Sequence, residues 1–153
     1  MTDPAAPGDR AIARGAIING AVNAVINAAI QAWLLAGKGP LPLTVDGITN
    51  ETTTVLGAAV PLAVSLASII TVVTWLGLPR PRPRFLPTYL WMTVKHGFFA
   101  LGVLVTVAVL WQRAVGSVVV PLPVAVILLG LVAGVAAGMV TYMTVRASGA
   151  GGR

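Results

Sequence analysis

Four long apolar runs without a single acidic residue limit what this 153-residue chain can fold into. Each is at least as long as the roughly 20 helical residues needed to cross the hydrocarbon core of a membrane. Charged residues make up only 9% of the chain, against about 25% in soluble domains. A soluble fold of this size could not bury so much apolar surface. The sequence therefore predicts an all-α integral membrane protein, a four-transmembrane-helix up-and-down bundle.

The domain organisation follows from the positions of these runs. We expect one transmembrane domain over residues 12–146, with disordered tails at 1–11 and 147–153 and no soluble domain. The first run could pass for a signal peptide, but its length and interior asparagines favour a retained helix. The predicted spans are 12–36, 55–78, 87–111 and 118–145.

The distribution of lysine and arginine predicts that both termini are cytoplasmic. One face carries seven basic residues, and the other carries two, Lys38 and Arg113. The tryptophans agree, because Trp33 and Trp111 fall at the predicted outer ends of their spans while Trp75 and Trp91 fall at the inner ends. The seven basic residues are Arg10, Arg14, Arg80, Arg82, Arg84, Arg146 and Arg153. The Ala/Gly/Val/Arg/Pro bias suggests a bacterial source, so we expect a multi-pass protein of the bacterial inner membrane.

Composition also narrows the function classes. The net charge of +6 is spread over span ends, which indicates topology rather than a nucleic-acid site. The absence of cysteine excludes disulfides, thiolate catalysis and cysteine-ligated metals. No phosphate-binding glycine loop or hydrolase motif occurs, so we expect no enzyme activity, cofactor or metal. With His96 as the only histidine, a bis-histidine haem would require two copies of the chain.

The strongest local pattern is a row of amides in the first span. Asn19, Asn23, Asn27 and Gln31 recur every fourth residue and so share one face of a helix. Amides facing hydrocarbon would be left without hydrogen-bond partners, so this face should meet protein or water. The alternatives are polar contacts between helices and the lining of a solute pathway.

Small residues form a second stripe beside the amides and a third one in the last span. Such stripes allow helix backbones to approach closely, within one subunit or between subunits. Together with the short helices, they make a homo-oligomer plausible, because four helices enclose little volume. The residues are Ala16, Gly20, Ala24, Ala28 and Ala32 in the first span and Gly130, Gly134 and Gly138 in the last.

Polar residues in the middle spans lie at a depth similar to that of the amides. At 1.5 Å per residue, His96 comes within a few ångströms of the level of Asn19. Ser65, Ser68 and Thr71 of the second span reach the same region. Lys95 either extends to the membrane surface or faces the interior beside His96. Because no span contains a carboxylate, an anion or a polar neutral solute fits this region better than a cation.

These residues support three hypotheses. The first is a small oligomeric channel or transporter for a small anion or polar solute, with a site shared by the first and third spans. The second is a non-transporting accessory subunit that docks other membrane chains through its amide and glycine stripes. The third is a membrane enzyme or cofactor-binding protein.

A faint internal repeat also occurs. Residues 60–64 read VPLAV and residues 120–124 read VPLPV. Duplication of a helical hairpin would explain the match, but the first and third spans do not align at the same offset.

Overall fold

The computed structural model describes residues 8–44, 53–78 and 84–150, and 83% of these are helical. Four helices are long and apolar enough to cross a membrane. Two three-residue strands follow the first and third of them. The elements are α1 (Asp9–Leu34), β1 (Leu41–Leu43), α2 (Val55–Gly77), an irregular turn (Phe85–Tyr89), α3 (Leu90–Ala114), β2 (Val118–Val120) and α4 (Leu122–Ala150).

The helix bounds differ from the predicted ones by up to five residues, and three of these differences fall in a predicted tail or change the type of element. Helix α1 begins at Asp9, inside the predicted tail, and the carboxylate of Asp9 suits the positive end of a helix dipole. Helix α4 continues to Ala150, inside the other predicted tail. Residues 118–120 form a strand instead of the start of the fourth span, because β-branched residues and a following proline disfavour helix. The remaining tail residues, 1–7 and 151–153, lie outside the described ranges.

The helices pack in the order α1, α4, α2, α3. Helix α1 packs along α4, and α2 packs against both α4 and α3. Helix α1 makes no comparable contact with α2 or α3 in the part of the chain that the structure describes. Helices α2 and α4 therefore form a central parallel pair, and α1 and α3 are the outer members of the row.

The α1–α4 contact is made by the small-residue stripes. A Cβ added to Gly134 would lie 2.8 Å from Ala24 Cβ and 2.9 Å from Gly20 O, closer than real side chains approach. A Cβ added to Gly130 would lie 2.9 Å from both Ala24 O and Ala28 Cβ. Gly20 meets Gly134 and Gly138 in the same way. The stripes in the first and last spans thus pack against each other within one chain.

The buried residues form two clusters along the central pair. One lies where the strands meet α2 and α4, and Leu129 at its centre is fully buried. The other lies nearer the opposite end, where Ala67, Ala133 and Ala137 are fully buried and bring α2 close to α4. Large apolar side chains such as Ile17 and Phe98 point outward and are about 70% exposed. An interior of small residues and an exterior of large ones is what helices packed in lipid require.

Two halves of the chain, α1–β1–α2 and α3–β2–α4, make corresponding contacts, as an approximate two-fold axis between them would require. Strands β1 and β2 pair antiparallel about this axis, with Pro42 opposite Val119. Asn19 bonds to Thr141 where α1 meets α4, and His96 bonds to Thr71 where α3 meets α2. Asn19 and His96 are 77 positions apart, as are Pro42 and Val119, whereas the two threonines are 70 apart.

The glycines support the same two-fold register. Gly20 of α1 lies against Gly134 and Gly138 of α4. Gly97 of α3, 77 positions after Gly20, lies against Val64 and Ser68 of α2. Val64 and Ser68 are in turn 70 positions before Gly134 and Gly138. The similar segments at 60–64 and 120–124 are offset by only 60 and are not structurally equivalent. The two helical hairpins therefore resemble each other in structure, but the residues that correspond are not those of the sequence match.

Candidate functional site

The amides of α1 form one continuous row that bonds mainly within its own helix. Asn19 Nδ2 donates to Thr141 Oγ1 of α4 at 2.5 Å, which is the row's contact with another helix. Asn23 Nδ2 donates to Asn19 O at 2.9 Å and to Asn19 Oδ1 at 3.0 Å. Asn27 Nδ2 donates to Asn23 O at 2.9 Å. These bonds link Asn19, Asn23 and Asn27 in turn and do not extend to Gln31.

Several polar groups of this row have no partner in the described ranges. The side-chain oxygens of Asn23 and Asn27 accept no hydrogen bond there, and the Gln31 amide makes none at all. Asn27 and Gln31 are nevertheless only 8% and 9% exposed. The unpartnered polar atoms themselves are not fully enclosed, so this face has unused capacity for hydrogen bonds.

His96 belongs to a different interface, between α3 and α2. Its Nδ1 lies 2.8 Å from Thr71 Oγ1, and the Thr71 hydroxyl donates to Ala67 O at 2.8 Å. A hydroxyl has only one hydrogen, so when Thr71 donates it to Ala67 O, the Thr71 oxygen accepts a hydrogen bond from His96 Nδ1–H. The histidine is 8% exposed, and in this position it joins two helices.

Lys95 points away from the helix contacts. Its side chain is exposed, and Nζ lies 5.7 Å from the centre of the Trp91 ring, one turn toward the start of α3. This is the direction expected of a lysine that extends toward the membrane surface. Lys95 and His96 are neighbours in sequence but face different surroundings.

The predicted site residues therefore occupy separate places in the fold. The amide row lies on α1 against α4, whereas His96 lies between α3 and α2 at the other end of the row of helices. The site that we expected the first and third spans to share is not formed within one chain. The physical reason is that the small residues of α1 fit the glycines of α4, which draws α1 away from α3.

The serines of α2 bond to their own helix. Ser65 Oγ is exposed and donates to Pro61 O at 2.7 Å, and Ser68 Oγ donates to Val64 O at 3.0 Å. Ser68 also lies beside Gly97 of α3, where an added Cβ would be 3.5 Å from Oγ. Thr71 and Ser68 thus face α3 rather than the amide row.

Sequence reasoning missed the polar residues of α4. Thr141 receives the bond from Asn19, and the Thr144 hydroxyl is fully buried with no partner among the described residues. Ser148 Oγ donates to Thr144 O at 2.7 Å and lies 2.6 Å from the Tyr89 hydroxyl, which therefore donates to it. The similar depth of Thr141 and Thr71 in two parallel helices was the signal that could have identified this contact.

Comparisons with known proteins give no further guidance, because no protein family model, curated protein or solved structure matches this chain. Within residues 8–44, 53–78 and 84–150, no cluster of three His, Asp or Glu side chains could hold a metal ion. The amide row of α1 is the candidate functional site that remains.

Proposed function

We propose that this chain is a multi-pass membrane protein that binds and passes a small polar solute along the amide face of α1. The observation that carries the proposal is the set of polar groups at Asn23, Asn27 and Gln31 that have no partner among the residues the structure describes. If the row served only to join helices, its amides would bond to α4. Only Asn19 does so.

Membrane physics gives the reason for assigning these groups to a solute or to water. Lipid chains cannot accept or donate hydrogen bonds, so unpaired amides in a membrane-spanning helix favour a polar occupant. An amide offers both a carbonyl acceptor and two donors, and it can replace the water around a neutral solute. The row spans twelve residues, or about 18 Å of helix, which covers more than half of a hydrocarbon core of about 30 Å.

The chemistry of the row favours a neutral solute over an ion. The sequence has no acidic residue after Glu51, and Asp9 lies at the very start of α1. Lys95, the positive charge that would favour an anion, lies on α3 and points away from the amide row. We therefore narrow the expected solute class from anions and polar solutes to polar neutral molecules.

A pathway of this kind requires more than one copy of the chain. Helix α1 is an outer member of the row of helices, and a row encloses no lumen between its members. A second copy beside α1 would supply the other wall where the row is still accessible, at the half-buried Asn19 and Asn23. We propose a homo-oligomer on this basis.

We also propose that both termini lie in the cytoplasm of a bacterial cell, with the protein in the inner membrane. The excess of arginine near the ends of the chain and between α2 and α3 supports this orientation. Alkaline phosphatase fused to the C-terminus should be inactive in cells, whereas the same fusion inserted between β1 and α2, within residues 45–52, should be active. An active C-terminal fusion would reverse the proposed topology.

The transport proposal is tested with purified protein in liposomes, using glycerol and urea as probes. Osmotic reswelling, followed by light scattering, should be faster than in protein-free vesicles. The Asn23→Leu variant should return to the protein-free rate, because it removes the central amide and fills its place with an apolar side chain. The matched control is Val25→Leu on the same helix, where the native side chain is 71% exposed, and it should retain the flux.

A second function remains in competition because Asn19 does bond another helix. In that case the protein is an accessory subunit whose amides bind a helix of another membrane protein. Vesicles that contain folded wild-type protein but reswell no faster than protein-free ones would contradict transport of these solutes. Co-purification of another membrane chain that is lost in Asn23→Leu would then support the accessory role.

A further inference from the structure

A second surface feature, unrelated to the amide row, lies between α3 and α4. Here the two outer faces leave a groove of about 300 Å³ that Ala63 of α2 closes from below. Its walls are apolar over their whole length. They include Phe99, Val103 and Val107 of α3 and Leu128, Val135 and Met139 of α4.

A positive charge lies one helical turn before the first residue of α3 that lines this groove. Lys95 precedes Phe99 by four residues, so both side chains project from the same face of α3. Its ammonium group lies near Trp91, an exposed tryptophan of the kind found at the level of lipid headgroups. The lysine has no carboxylate to pair with, because α2, α3 and α4 contain no acidic residue.

We propose that this groove binds an anionic phospholipid, with an acyl chain between α3 and α4 and the phosphate at Lys95. The positive charge of Lys95 favours an anionic headgroup, and the apolar walls favour a lipid with an acyl chain over a free phosphate. The distance from Lys95 to Val107 is twelve residues, or about 18 Å of helix. This matches one leaflet, which is about half of a 30 Å hydrocarbon core.

The approximate two-fold axis shows how specific this combination is. The position of α1 equivalent to Lys95 is Ile18, and the positions equivalent to Ala100 and Leu104 are Asn23 and Asn27. At these equivalent positions, α1 therefore carries polar uncharged side chains, whereas α3 carries apolar side chains and a lysine. The lipid should bind beside α3 and not at the equivalent place beside α1.

The test measures lipid retained by the delipidated, purified protein in detergent, using native mass spectrometry with phosphatidylglycerol or phosphatidylcholine added back. Wild-type protein should bind one phosphatidylglycerol with about fivefold preference over phosphatidylcholine, the size expected of one lysine near a lipid headgroup. Lys95→Gln should remove the preference. Val103→Trp, which fills the groove, should reduce binding of both lipids.

The control is Arg113→Gln, which removes a charge at the opposite end of α3 and should leave the preference unchanged. Equal losses in Arg113→Gln and Lys95→Gln would overturn the proposal, because they would indicate general attraction to basic residues. An unchanged preference in Lys95→Gln would also overturn it. So would equal competition by glycerol phosphate, which has a phosphate but no acyl chain.

Discussion

Replacing Gly134 with leucine is expected to separate α1 from α4. The first atom of any side chain at this position would lie 2.8 Å from Ala24 Cβ and 2.9 Å from the backbone oxygen of Gly20. Overpacking typically costs about 1–3 kcal/mol, and this site belongs at the upper end because a backbone atom cannot rotate out of the way. Since α1 packs mainly on α4, it has no other contact of similar extent to hold it in place.

The separation can be measured by disulfide trapping. The chain has no cysteine, and Asn19 and Thr141 touch at 2.5 Å, so the pair Asn19→Cys and Thr141→Cys should cross-link on oxidation. Adding Gly134→Leu should reduce the cross-linked fraction several-fold. Gly102→Leu is the matched control, because a Cβ there has no neighbour within 4 Å, and it should leave the cross-link intact. Full cross-linking in the Gly134→Leu background would show that the α1–α4 contact is not as close as described.

Replacing Leu129 with alanine is expected to give the largest loss of stability among the large-to-small changes in the buried clusters. Leu129 is fully buried where α4 meets α2 and the strands. Truncation of a buried leucine in soluble proteins costs about 2–5 kcal/mol. In a membrane the exposed side chain would enter lipid rather than water, so mainly the cavity and lost packing contribute. We therefore expect about 2 kcal/mol.

The measurement is the thermal unfolding midpoint of the purified protein in detergent, followed by tryptophan fluorescence. Leu131→Ala makes the same chemical change two residues away, at a side chain that is 56% exposed, and should have little effect. Equal shifts in the two variants would mean that burial within the chain does not determine the loss. The comparison therefore tests which face of α4 is internal.

The structure separates two groups of polar residues that sequence distance and depth had suggested were one site. His96 and Asn19 occupy corresponding positions in the two halves, each bonded to a threonine of a central helix. Equivalence by rotation places them on opposite sides of the central pair rather than facing each other. Depth along a helix can be estimated from residue number, but direction around the bundle cannot.

Much of the architecture followed from local properties of the sequence. A span must be apolar and about 20 residues long, and the amide row lies on one face because of the helical repeat. These features depend on neighbours within a few residues. The four helices and the single polar face of α1 were predictable for this reason.

The tertiary structure alone decided which helices pack together and where each polar group finds its partner. The close contact of α1 with α4 depends on how Gly20 fits against Gly134 over the whole interface, and the sequence also allowed α1 to pack on α2. The pairing of β1 with β2 was missed because strands of three residues leave almost no pattern. Partner choice depends on shape between residues more than a hundred positions apart, and local periodicity carries no information about it.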